Sequence, residues 1–248
     1  IPDVVNNGDI IRIYYVLDEK QTKDLSYTVE YYKDNVKFDL DTQVVSKTVQ
    51  ILQPDTLTVD KTQINTTDKY VGYKLDVENT TIPDVVNNGD IIRVYYVKDQ
   101  FDYTVEYYYE GVIDDTKTET ITATYQDVIS TYTDKNITGY KLDRTENLPL
   151  TVSEVVANNV IRVYYVKDQF DYTVEYYYEG VIDDTKTETI TATYQDVIST
   201  YTDKNITGYK LDRTENLPLT VSELAENNII RVYYIIDDGN TKTLSYTV

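Results

Sequence analysis

Residues Ile92–Glu154 return without a single substitution as Ile161–Glu223, an offset of 69 residues. Identity over such a stretch means that both copies reach the same local structure, so the problem reduces to how one repeat folds. A divergent copy opens at "LSYTVEYYKD" (Leu25–Asp34) and closes at "IIRVYYVKDQ" (Ile91–Gln100), longer by about seven residues, a change that a surface loop absorbs. "IPDVVNNGDIIRIYYV" (Ile1–Val16) matches the close of that copy at Ile82–Val97, and "LSYTV" (Leu244–Val248) matches its opening.

This pattern predicts five stretches: 1–24, the end of a preceding repeat plus a linker; 25–101, the divergent repeat; 102–170 and 171–237, the near-identical repeats; and 238–248, a linker with the first strand of a following repeat. "KDQF" joins the near-identical copies (Lys98–Phe101, Lys167–Phe170) and predicts stiff joints. "LDEKQTKD" (Leu17–Asp24) and "IDDGNTKT" (Ile236–Thr243) are longer and polar, and predict more bend.

Within a repeat, Tyr172, Val174, Tyr176 and Tyr178 alternate with Thr173, Glu175, Tyr177 and Glu179, the period of a half-buried strand. "KTETITATY" (Lys186–Tyr194) alternates again, with Thr187, Thr189, Thr191 and Thr193 on one side, as do Thr118, Thr120, Thr122 and Thr124 in the preceding copy. The start of "DVISTYTDKN" (from Asp196) reads as a short helical turn, "GYKLDRTE" as a strand entered through Gly208, "LTVSE" (Leu219–Glu223) as a turn or short helix, and "IIRVYYII" (Ile229–Ile236) as the last strand. The expected fold is mainly β, about four strands per repeat, each repeat with its own small core. That core draws mainly on Tyr, Val, Ile and Leu and is rich in tyrosine, since the chain has 28 tyrosines against three phenylalanines and no tryptophan.

Composition removes most chemistry. With no cysteine and no histidine there is no thiolate, no disulfide and no imidazole base or ligand, so the chain reads as non-enzymatic. A net charge of −20 repels phosphate backbones and anionic membranes, which argues against nucleic acid as a partner. No window reaches the roughly 18 apolar residues of a membrane span, and Ile1–Gly8 carries no export signal of its own.

The opening "YTVEYY", the threonine-rich second strand, "TGYKL" (Thr138–Leu142, Thr207–Leu211) and the closing "VIRVYYV" (Val160–Val166) together resemble the MucBP or Mub-type repeats of Gram-positive cell-surface proteins. The resemblance implies small β-grasp, ubiquitin-like modules strung as beads in an elongated array, outside the cell and attached to its wall. It implies a stalk or an adhesin, some members of the family binding mucin glycans. No binding residues travel with the family. Its usual "PGY" is "TGY" here and "VGY" at Val71–Tyr73, and the glycine reads as a backbone requirement more than a contact.

Candidate sites follow. Tyr108 and Tyr177 on the polar strand face could stack on sugar rings, against the plainer role of cross-strand packing. Asp114/Asp115 and Asp183/Asp184 could lend oxygens to Ca²⁺, against solvated turn carboxylates, and "IDDGN" (Ile236–Asn240) is a similar case. No other cofactor is expected. "LPLTV" (Leu148–Val152, Leu217–Val221) resembles the LPxTG sorting motif but lacks its glycine, and reads as a proline-led turn. An isopeptide bond would need Lys141, Asn158 or Asn159 and Glu106 together, or Lys210, Asn227 or Asn228 and Glu175.

The first expectation is a stalk or fibre shaft whose partners are neighbouring repeats. The second is a multivalent adhesin for mucin glycans or other host ligands. The third is a filament subunit joined head to tail by strand addition through Ile10, Ile11, Ile13, Tyr15, Tyr246 and Val248.

Overall fold

A computed structural model describes residues 2–135, 137–204, 206–239 and 243–247. Val248 and Asn240, both named above as candidates, lie outside the described residues.

Among the described residues each copy folds as seven strands in the same order, more than the roughly four expected from the sequence, because short two- and three-residue strands carry no periodicity to read. The divergent copy contains β1 (Thr22–Lys33), β2 (Val36–Lys37), β3 (Gln43–Gln50), β4 (Thr56–Thr58), β5 (Tyr73–Leu75), β6 (Val85–Asn87) and β7 (Ile91–Lys98). The next contains β8 (Gln100–Tyr109), β9 (Val112–Ile113), β10 (Glu119–Thr124), β11 (Val128–Ile129), β12 (Tyr140–Glu146), β13 (Leu150–Thr151) and β14 (Val160–Lys167). The last contains β15 (Gln169–Tyr178), β16 (Val181–Ile182), β17 (Glu188–Thr193), β18 (Val197–Ile198), β19 (Tyr209–Glu215), β20 (Leu219–Thr220) and β21 (Ile229–Ile236). Short 3₁₀ turns are the helical structure among the described residues.

The chain divides into two compact units. One comprises Ile1–Phe101 with Ala123–Asp127 and Val152–Glu154, and the other Asp102–Thr122, Val128–Thr151 and Val155–Val248. In the first unit, β1 and β7 run parallel from Thr28↔Ile91 to Lys33↔Tyr96, β5 lies antiparallel to β7, and β2 and β3 both pair with β1. In the second, β15 and β21 repeat that parallel core from Thr173↔Ile229 to Tyr178↔Tyr234, flanked by β19, β16 and β17. There too, β8 and β14 pair in parallel from Thr104↔Val160 to Tyr109↔Tyr165, with β12 beside β14. Making the first and last strands parallel neighbours forces the intervening chain to cross over the sheet, since parallel strands cannot be joined by a tight turn. The crossover carries a small second ladder, β4–β6, β11–β13 or β18–β20.

The alternation read from the sequence sets the faces. Tyr172, Val174 and Tyr176 are buried on one side of β15, with Ile230, Val232 and Tyr234 of β21 beside them. Leu219 and Val221 from the crossover close this core. Tyr31, Tyr107 and Tyr176 are among the largest fully enclosed side chains, and their hydroxyls explain why tyrosine serves where phenylalanine would not. Each reaches loop backbone: Tyr31 accepts from the Asn65 N–H at 3.0 Å, Tyr107 donates to the Thr133 carbonyl at 2.6 Å, and Tyr176 donates to the Thr202 carbonyl. The rings fill the core while the hydroxyls tie down the crossover.

Two local expectations need correction. The helical turn expected at the start of "DVISTYTDKN" is strand β18, and the turn or helix expected at "LTVSE" opens as β20, its partner. Strands of two residues have no periodicity to read, and they form because the crossover must satisfy its backbone while buried Leu219 and Val221 face the sheet.

Candidate functional site

The polar face of each main sheet carries an ordered stack. In the second copy the Tyr108 ring lies on Tyr164 (centroids 4.8 Å, 22° between planes), and the Arg144 guanidinium lies over Tyr164 at 3.9 Å. Carboxylates bind the stack together: Tyr108 donates to Glu106 at 2.8 Å, Arg162 Nε sits 3.1 Å from the same carboxylate, and Tyr164 donates to Glu146 at 3.1 Å. The third copy reproduces it with Tyr177, Tyr233, Arg213, Glu175, Arg231 and Glu215. The hydrogen bond to Glu106 raises the Tyr108 hydroxyl above the usual phenol range, with burial adding to it, and Glu175 does the same to Tyr177.

Tyr108 and Tyr177 are therefore half-buried members of a stack, each with one face on a second tyrosine and its hydroxyl on glutamate. Cross-strand packing, the plainer of the two sequence readings, describes these contacts.

The acidic pairs split. Asp114 Oδ1 accepts from the backbone N–H (3.1 Å) and hydroxyl (2.6 Å) of Thr116, and Oδ2 from Lys117 (2.7 Å). Lys117 and then Thr116 hold its carboxyl below the usual range, and Lys186 and Thr185 do so for Asp183. Asp115 and Asp184 are exposed. Among the described residues no group of three or more acidic, histidine or cysteine side chains is placed to hold a metal ion. The geometry is that of an Asx turn closed by a lysine.

"LPLTV" is internal structure: Leu150 and Val152 are buried, as are Leu219 and Val221. The isopeptide trios are not brought together. Lys141 pairs with Asp168 at 2.9 Å, Glu106 holds Tyr108 and Arg162, and buried Asn228 donates to the carbonyls of Ser222 (2.7 Å) and Asp171 (3.2 Å). In the threonine rows, Thr122 and Thr191 donate to Asp102 and Asp171 at 2.6 Å. Ile10, Ile11, Ile13, Tyr15 and Tyr246 lie outside the strands and are exposed.

One constellation was not singled out from the sequence. β7 passes to β8, and β14 to β15, through a single residue, Asp99 or Asp168. In the first unit the Asp99 N–H donates to the Gly72 carbonyl (2.9 Å), its own carbonyl accepts from the Tyr125 N–H (2.8 Å), and Lys74 reaches its carboxylate (2.9 Å). The Tyr125 ring covers Gly72 so closely that a Cβ there would fall inside it. Tyr73 and Phe101 meet the same ring edge to face, at 5.9 and 6.1 Å. In the second unit Asp168, Gly139, Lys141, Tyr194, Tyr140 and Phe170 reproduce every contact. The glycine of "VGY" and "TGY" is thus required twice, for its positive φ (+75° and +76°) and for the space its missing side chain leaves. The backbone requirement expected from the sequence is met at both glycines, and the ring packed on them adds a second one. The readable signal was a glycine-tyrosine pair followed by a tyrosine in the next copy, Tyr125 after Gly72 and Tyr194 after Gly139.

No family model and no curated protein matches this chain. Among solved structures it is similar to two B repeat units of the collagen-binding protein of Staphylococcus aureus, at 12% identity over 87% of this chain and 74% of that one. The TM-score is 0.16, which carries neither fold nor function across.

Proposed function

We propose that this chain is a non-enzymatic structural segment of a bacterial surface protein, acting outside the cell as a stalk or fibre shaft. One observation carries the reading: the last strand of one copy becomes the first strand of the next through a single residue, Asp99 or Asp168. In this reading length is added by repeating a sheet. The resemblance to MucBP-type repeats supports the same reading, as does the parallel pairing of first and last strands that a β-grasp requires. Here, however, short strand pairs and 3₁₀ turns occupy the crossover where a β-grasp places its helix. The three repeats, 25–101, 102–170 and 171–237, are the mechanical elements in this reading.

The rival reading, a multivalent glycan adhesin, needs open aromatic faces, whereas Tyr164 and Tyr233 have both faces taken by tyrosine and arginine, and Tyr108 and Tyr177 have one face each on tyrosine. Small-angle scattering tests the spacer directly. A compact globule of this length has a radius of gyration of about 18 Å, and the spacer reading expects a value far above it. A value near the globular one overturns the proposal. Saturable binding on a mucin glycan array, lost in Tyr177→Ala with folding intact, would replace it with the adhesin.

A further inference from the structure

We propose that one side chain, tyrosine at 194, decides whether the third repeat locks onto the second, and that valine, which the divergent repeat carries at the equivalent position 49, would release it. Val49, Tyr125 and Tyr194 occupy one topological position. Val49 pairs with Lys23 in the ladder between β1 and β3, four residues before Tyr27. Tyr125 and Tyr194 donate their N–H groups to Asp99 and Asp168, which stand four residues before Tyr103 and Tyr172. Their side chains go different ways. Val49 packs against the core of its own repeat, which holds Val29, Tyr31 and Ile92. Tyr125 and Tyr194 instead lie on the glycine-tyrosine corners Gly72–Tyr73 and Gly139–Tyr140 of the preceding copies.

The third copy separates the parts of the device. Gly208 has the same left-handed conformation (φ +91°), Tyr209 follows it, and the Asp237 N–H donates to the Gly208 carbonyl at 2.9 Å as at the other two corners. No described atom stands within 4 Å of a Cβ built there. The backbone clasp thus forms without the ring, so the ring is not needed to shape the corner. Its role is what remains: an aromatic plug in a socket that only glycine can leave open. Where the plug is seated the Lys–Asp pairs across the clasp are 2.9 Å long, and at Lys210–Asp237 the distance is 3.9 Å. "KDQF" precedes both copies with the tyrosine, and the longer "LDEKQTKD" precedes the copy with valine, so connector and plug vary together. This device belongs to the chain whether or not the array is a spacer.

The chain has no cysteine, so paired spin labels can be placed at Val112→Cys and Val181→Cys, equivalent exposed sites in consecutive copies. Double electron–electron resonance on the full chain then reads the spread of their separation. The expected result is one narrow distribution, kept in Tyr194→Phe. It should be lost to a broad one in Tyr194→Val, which installs the residue the first repeat carries, while Tyr125→Val leaves this pair unchanged. Gly139→Ala blocks the socket from the other side and broadens the distribution too. A Tyr194→Val chain that stays as narrow as its parent overturns the proposal, as does a parent that is already broad. Retained far-UV dichroism separates release of the plug from loss of the fold. The scattering test above can fail while this one succeeds, because a locked pair of repeats does not require an extended whole.

Discussion

Val49 and Tyr194 occupy equivalent positions in two copies of one fold, yet one turns inward and the other leaves its own repeat. The divergent repeat differs from the others in a second place: Lys37 lies opposite Tyr32, where Ile113 and Ile182 lie opposite Tyr108 and Tyr177. It differs in a third, using exposed Asn88 to accept from the Ser26 N–H (2.8 Å), where the third repeat buries Asn228 between Ser222 and Asp171. The parallel pair and the enclosed tyrosine survive all these changes. The fold is held by its central strands, and the periphery is free to decide how a repeat meets its surroundings.

The most severe way to break that comparison is through the shared core. Tyr31→Ala and Tyr176→Ala should each cost about 3 to 5 kcal/mol, the range for removing an enclosed aromatic ring, measured by urea denaturation of the full chain. Comparable losses sharpen the claim that one core serves both kinds of repeat. A loss under about 1 kcal/mol at Tyr31 alone would break it, since no enclosed ring leaves so little behind.

The next test uses the asparagines. Asn228 is 1% exposed and makes three hydrogen bonds, with Oδ1 accepting from the Ser222 N–H at 2.8 Å. Asn228→Ala should cost about 1 to 3 kcal/mol because it strands buried backbone groups, whereas Asn88→Ala, exposed to water, should cost under about 1. Equal costs would mean that the two repeats depend on these turns alike.

How much of this was legible follows from where each signal lives. The alternation in "DYTVEYYY" is local, and it placed Tyr172, Val174 and Tyr176 in the core and Tyr177 on the wetter face. The existence of a repeat was written in identity between copies. The plug was missed, because Gly139 and Tyr194 belong to different copies and periodicity within one copy is blind to a contact between two. The tyrosine stacks were half legible: the sequence put Tyr177 on a polar face, but only the parallel register Tyr177↔Tyr233 supplies the ring that covers it. For Asp183 the turn reading was available beside the metal one, but not the partners that close the turn, Thr185 and Lys186.

The smallest expected effect concerns Lys37. Glu30 is buried at 7% exposure, with Lys37 Nζ 2.6 Å from one oxygen, the Tyr32 hydroxyl 2.7 Å from the other and Arg93 Nε at 3.6 Å. The Lys37 hydrogen bond is the strongest of these influences, the Tyr32 bond follows, and together they hold the carboxyl below the usual glutamate range against burial, which pushes it up. A folded-state value below the unfolded one contributes stability that is present above the ordinary value, about 4.3, and is lost as pH falls through the lowered one. Lys37→Ile, which gives the first repeat the residue of the other two, removes the largest of these influences and lets the carboxyl rise. Thermal unfolding between about pH 5 and pH 3 should then show the parent losing stability more steeply than the variant. The two curves should converge at the acid end, where Glu30 is protonated in both. Curves that stay parallel across that window would mean that Lys37 adds nothing beyond what Tyr32 and Arg93 already give, and that the divergent repeat differs here in sequence without differing in energy.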